Sequence, residues 1–369
     1  MSSGERLVLF GTHDFFIYSA TFNVQSKQFR LVGTKRMSEH PSWLTRHPTH
    51  KDIVYCNGHV EGKVFCLRVD PYGAIEVLDE AVAGGVGPTH LALNQDHTGL
   101  LIAHYGQETK GLLAELPLSP EGRFLLDATD PATHFHPKRQ KWAHPRLDEP
   151  HVHHVMIRGD EVLACDLGTN KVWRLRRGDA TKGEEAWVVN GAVQGGLVDG
   201  DGPRHAAIHP EHEIIYVLNE VSSSLTVHSL PTDAEPELLQ RFSILPPEDE
   251  QSKDDMTAAE ILLLPPLHPG APSLLLCTNR YTTREEGDAI ALFAVGADGT
   301  VQRTETGWHR GVGKHVRALD GDESGRFIAT AARDGGGVVI LERVGDGTEV
   351  VEVARLPEVE NVVDALWMD

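Results

Sequence analysis

The chain has only four cysteines, Cys56, Cys66, Cys165 and Cys277, and no two of them are spaced Cys-x-x-Cys. That removes the usual zinc and dithiol-redox motifs, and the positions of all four on predicted strands mark them as reduced core residues. No run of about 18 apolar residues occurs, so neither a transmembrane helix nor a membrane partner is expected. The opening MSSGERLVLFG has no basic stretch leading into an apolar run and a cleavage site, which points to a cytoplasmic protein. Aromatic residues are scarce at 6%, yet 40% of the chain is hydrophobic, enough to bury a core. Positive charge is also in deficit, with 34 Lys and Arg against 54 Asp and Glu and a formal net charge of −20. Such a balance argues against nucleic acid or an anionic membrane as partner. Binding an anionic small molecule would require arginines gathered locally.

What the chain has in abundance is repetition. Seven segments share one form, an apolar run, a short turn and a returning alternating run: 6–24, 52–69, 100–118, 161–177, 214–230, 273–295 and 326–344. Period-two alternation around a Gly, Asn or Asp turn is a β-hairpin pattern, and seven hairpins at intervals of about 50 residues predict a seven-bladed β-propeller. Each hairpin is paired with a further short run, at 40–48, 87–96, 149–160, 202–211, 256–266, 313–322 and 361–369. These read as the innermost strands lining the channel, with a fourth strand closing each blade outside. The first hairpin has no inner strand before it, and the last inner strand, NVVDALWMD, has no hairpin after it. Their pairing in one blade would close the ring and hide the strand edges of an open array. The fold expected is therefore all-β: four-stranded antiparallel blades in a single domain over 1–369. Long loops are expected at 126–150 and 245–256, the first a candidate cover for the channel mouth.

The starts of inner strands and the ends of the strands that follow them approach one face of the channel. Inner-strand candidates there are Trp43, His90, His151, His153, His154, Arg204, His205, Glu260, Lys314, His315 and Arg317. The following strands contribute His13, Asn57, His104, Asp166, Glu220, Arg280 and Arg333. Asp166, Asn219 and Asn279 share one repeat position at the entry to a turn, where such side chains bond nearby backbone. His151 and His153 are two apart, so on a regular strand they point the same way. His90 or His205 could add a third imidazole, but no carboxylate is placed to complete a ligand set, and no metal is expected. A histidine beside a carboxylate can instead act as acid or base near neutral pH. Arg204 and Arg280 at a channel wall need anionic partners. Glu220 or Glu260 could supply one, and so could a carboxylate or phosphate on a substrate.

At these residues the chain resembles the lactonase family of seven-bladed propellers, which includes bacterial 6-phosphogluconolactonase and the fungal 3-carboxy-cis,cis-muconate lactonizing enzyme. Residues 200–230, GDGPRHAAIHPEHEIIYVLNEVSSSLTVHSL, are similar to the family's GxGPRHxxFHP…YxxNExxSSxxV block. EPHVHH…ACDLGTNKVWRL and AAEI…CTNR…IALFAV resemble two further blocks in the same order. The opening LFGTHD…IYSATFNV, the PSWL strand and the terminal DALWMD look like the fungal branch. Carried over, the resemblance implies His153 and Glu220 as catalytic residues, with Arg204 and Arg280 as substrate ligands. His90, His151, Trp43 and Arg317 stand beside them as further substrate-binding candidates. The fungal branch implies a cofactor-independent cycloisomerase acting on a carboxymuconate or related polycarboxylate in aromatic catabolism. The bacterial branch implies hydrolysis of a sugar lactone such as 6-phosphogluconolactone. Outside enzymes, a propeller can serve as a protein-binding scaffold. The Gly-His and Trp-Asp pairs that recur in one large class of scaffold propellers do not recur here, and scattered positions for His153, Arg204, Glu220 and Arg280 would favour that role.

Overall fold

The computed structural model describes residues 4–106, 110–125, 133–138, 147, 149–194 and 200–369. Those residues form seven four-stranded antiparallel sheets arranged as the blades of a propeller. The inner strands are Leu44–Arg46, Pro88–Leu93, Val152–Arg158, Pro203–Ile208, Thr257–Leu264, Lys314–Gly321 and Val362–Trp367, each within its predicted run. The C-terminal strand pairs with the first strand, Glu5–Thr12, matching Val8 with Trp367 and Phe10 with Ala365. The ring is thus closed within one blade.

Blades stack face to face, and this explains the sequence of their second strands. Ile53–Gly58 and Gly99–His104 are buried along their whole length, so they read as continuous apolar runs rather than alternating ones. Outer strands such as Leu238–Ser243 are largely open to solvent. Among the described residues the core consists of seven apolar clusters, one at each interface between neighbouring blades. The interface that closes the ring joins Val8, Phe10 and Phe22 to Phe327, Ala329 and Ile340. All four cysteines are free and buried.

Two expectations about loops change. Thr133–Phe135, inside the predicted loop 126–150, is the outer strand of its blade and pairs with Leu113–Glu115. A three-residue strand carries too little pattern to be seen in sequence. Residues 126–132, 139–146 and 148 lie outside the described residues, and with them the expected cover over the mouth. In 245–256, Glu250–Asp255 is a 3-10 helix, and Asp249 just before it accepts from Arg284 and Arg310.

Candidate active site

A recurring backbone irregularity builds the channel mouth. In six blades the pairing of the inner strand slips by one residue near its start. The extra residues are Thr89, His153, Arg204, Arg317 and Val363, together with the Ala259–Glu260 step. A β-bulge re-aims a side chain that regular pleating would send elsewhere. Except for Ala259, each of these residues lines one cavity of about 230 Å³, and Trp43 supplies the seventh blade's wall. His13, Ser42, His59, Tyr105, Glu220 and Arg280 complete the lining. The repeat position at the turn entry pins several of these strands. Asn57 Oδ1 accepts from the backbone N–H groups of Ser42 at 3.0 Å and Trp43 at 2.7 Å. Asp166 Oδ1 accepts from His151 N at 2.8 Å, and Asn279 Oδ1 from Ala289 N at 2.8 Å.

Glu220 sits between two arginines. Its Oε2 is 3.0 Å from Arg204 Nε and 3.1 Å from Arg280 Nη2, and all three residues are buried. The Arg204 contact is an ion pair without hydrogen-bond alignment. Arg204 also donates to the Ala259 carbonyl, and Arg280 donates to the Ala258 carbonyl at 2.8 Å. Burial, followed by the neighbouring Arg280, lowers the Arg204 pKa to about 10, which leaves it charged at neutral pH. Of the partners left open by the sequence, Glu220 is the one that both arginines meet.

Arg317 differs. Among the described residues it has no ion-pair or hydrogen-bond partner, and its Nε is buried. Burial, then Arg204 and Arg280, push its pKa well below the ordinary guanidinium range. A charge opposed in this way gains most from a bound anion.

His153 lines the same cavity from the blade next to that of Arg204. Its Nδ1 is 3.0 Å from His205 Nε2, and His205 Nδ1 is 2.7 Å from Glu260 Oε1. Burial, then the charges of Arg204, His205, Arg317 and Arg280, hold His153 well below the usual imidazole pKa. It is therefore neutral near pH 7, the state a general base requires. Burial and the Arg317 charge likewise lower His13 to about 2.

Six of the eight candidate residues thus meet in one cavity: Trp43, His153, Arg204, Glu220, Arg280 and Arg317. Two do not line it. His151 precedes its strand, stacks on Tyr105 with ring centroids 4.3 Å apart, and turns Nδ1 to the Tyr105 carbonyl at 2.7 Å. The bulge at His153 breaks the alternation that would have aligned the two side chains. His90 follows the bulged Thr89 and faces a separate depression with Arg46 and Leu366. Its ring lies 4.2 Å from Trp43 and 4.1 Å from His154. Lys314 is exposed, and His315 and Arg333 both pair with Asp334. The sequence reading missed His59 and Tyr105, which lie just past the ends of strands Ile53–Gly58 and Gly99–His104. Extending the strand-end rule by one residue would have found them. Among the described residues, no group of three or more His, Cys, Asp or Glu is placed to hold a metal ion. No helix among them is long and apolar enough to cross a membrane.

A closed seven-bladed ring with arginines, a histidine and a glutamate at its mouth defines a propeller with a candidate enzyme site. The chain belongs to the lactonase family of seven-bladed β-propellers, whose family model matches residues 8–367. It is 24% identical over 337 residues to a Bacillus subtilis protein named 6-phosphogluconolactonase, covering 89% of this chain and 87% of that one. A Klebsiella pneumoniae protein of the same name is 24% identical over 317 residues, covering 83% and 82%. A crystal structure described as a putative 6-phosphogluconolactonase from Bacteroides fragilis superposes with a TM-score of 0.82 at 21% identity, covering 100% of this chain and 99% of that one. The periplasmic gluconolactonase of Pseudomonas aeruginosa also superposes with a TM-score of 0.82 at 21% identity, over 98% and 99%.

These names correct the cycloisomerase reading. Relatives matched over more than four-fifths of the chain are named 6-phosphogluconolactonase, and the carboxymuconate reading is withdrawn, aromatic catabolism with it. Arg204 and Arg280, whose anionic partner the sequence left open between Glu220, Glu260 and a substrate group, share the Glu220 carboxylate.

Proposed function

We propose that this protein hydrolyses a sugar lactone carrying an anionic group, with 6-phosphogluconolactone as the first substrate to test. The observation that carries the reading is a buried imidazole lining a cavity in which a third arginine, Arg317, makes no hydrogen bond or ion pair among the described residues. His153 is the base that removes a proton from water, and the hydroxide attacks the lactone carbonyl. Arg204 and Arg280, held in place by Glu220, stabilise the oxyanion of the tetrahedral intermediate. As the ring C–O bond breaks, the proton returns through His153 to the leaving oxygen. Glu220 is assigned to positioning rather than proton transfer, because its carboxylate lies against two guanidiniums. Arg317 anchors the phosphate. No cofactor enters this scheme. We place the protein in the cytoplasm, a reading supported by four unpaired thiols.

The test is acid release from 6-phosphogluconolactone and from uncharged glucono-δ-lactone, each corrected for spontaneous hydrolysis. Failure to accelerate either one would sink the proposal. Arg317→Met is expected to raise KM for the phosphorylated lactone about 10- to 100-fold, the worth of charge-assisted hydrogen bonds to an anion. KM for the uncharged lactone should stay unchanged. An equal effect on both substrates would place the phosphate elsewhere.

A further inference from the structure

We propose that Glu260 and His205 form a proton relay behind His153, fixing its tautomer and receiving the proton it takes from water. The reaction served is the lactone hydrolysis proposed above, but the relay itself rests on geometry. Three adjacent blades supply its members: His153 on Val152–Arg158, His205 on Pro203–Ile208 and Glu260 on Thr257–Leu264. The two links measure 3.0 Å and 2.7 Å, and the three residues are 7%, 1% and 6% exposed. His205 cannot easily turn out of line. Its ring stacks on His154 with centroids 4.5 Å apart and meets Trp43 edge-on at 5.5 Å.

The direction of the chain follows from the chemistry of its end. An ionised carboxylate only accepts hydrogen bonds, so Glu260 requires the N–H of His205 on Nδ1. His205 Nε2 is then a bare acceptor and requires the N–H of His153 on Nδ1. That leaves the lone pair of His153 on Nε2, the ring nitrogen available to the cavity. A neutral imidazole's tautomer is set by the bond its other nitrogen makes. Here that bond is set two residues away.

The relay also answers an electrostatic difficulty. A proton left on His153 would make an imidazolium facing Arg204, Arg317 and Arg280. Instead, as a water O–H bond breaks and the hydroxide–carbonyl bond forms, His153 Nε2 gains the proton. His153 Nδ1 gives its proton to His205 Nε2, and His205 Nδ1 gives its own to Glu260 Oε1. The reverse sequence returns a proton to the departing ring oxygen, so the enzyme ends as it began. Glu260 suits the task because burial raises its pKa to about 7. The groups facing it are Arg204 and His205 from one neighbouring inner strand, His154 from the next, Arg317 and Asp320 from Lys314–Gly321, Asp364 from Val362–Trp367, and Cys277 from its own blade. The arginines pull its pKa down, and burial outweighs them.

Only ionised Glu260 can receive the proton, so kcat should rise with pH through about 7 in the wild type. Glu260→Gln keeps an oxygen that accepts from His205 but removes the proton acceptor. It is expected to lower kcat about 100-fold, within the usual range for acid–base groups, with KM within about twofold and no rise near pH 7. A purely structural role would leave the pH profile in place, and Glu260→Gln with wild-type kcat or an unchanged pH 7 limb overturns the relay. A second measurement is independent of turnover and of Glu260→Gln. Nitrogen-15 NMR of the histidines in the wild-type chain above pH 7, assigned with His153→Asn and His205→Asn, should show both rings protonated on Nδ1. Protonation of His153 on Nε2 overturns the relay. Both rings protonated on Nδ1 in a protein that hydrolyses no lactone would leave the relay standing and remove only the lactonase reading.

Discussion

Replacing His153 with alanine is expected to lower kcat for lactone hydrolysis about 1,000-fold, within the range that positioned bases contribute. KM should change little, because substrate charge is met by arginines on other strands. His153 contributes in the transition state only, where water gives up its proton, so the loss should fall on kcat. With burial and three arginines opposing the imidazolium, the ring is in its basic form throughout the physiological range. Steady-state kinetics beside a thermal melt would check the prediction. A correctly folded variant retaining a third of wild-type kcat would remove His153 from the chemistry.

Glu220→Ala should act mainly on stability. Paired buried charges are weak stabilisers in themselves, since desolvation offsets most of their attraction. Removing one partner is another matter, because it leaves the others buried and uncompensated, at a cost of about 3–5 kcal/mol. Here the carboxylate lost is shared by two guanidiniums, each within 3.1 Å of one oxygen. Arg204 and Arg280 would keep their bonds to the Ala259 and Ala258 carbonyls, yet repel each other across the gap. The midpoint of chemical denaturation should fall accordingly, and lactone hydrolysis should fall with it. Added inorganic phosphate should recover part of the lost stability by standing in for the carboxylate. A midpoint equal to that of the wild type would mean that Glu220 does not hold the arginines.

The scaffold was open to reading because each of its features repeats. Inner strands, hairpins and the split blade at the chain ends are all visible as apolar runs bounded by turn residues, and the strand pairings follow that order. Thr133–Phe135 escaped because three residues do not make a period. The candidate site was readable as a set of strand ends but not as a surface. His153, Arg204 and Arg317 come to the mouth through one-residue bulges, and a bulge has no residue signature. The same irregularity makes alternation a poor guide at His151. Tyr105 and His59 lie one residue beyond strands whose exact ends the sequence does not mark.

What the amino-acid sequence determined alone is the number of blades, their order, the closing strand and the short list of polar residues near the channel. These depend on local periodicity, which a linear chain carries in full. Which anion meets which cation was decided only by the tertiary structure. Glu220 lies between Arg204 and Arg280, Arg317 is left without a described partner, and Glu260 reaches His153 through His205. Arg204 and Glu220 belong to one blade, and the other pairings join residues from different blades. Electrostatic partnership at about 3 Å depends on distance and burial, neither of which is a property of sequence separation.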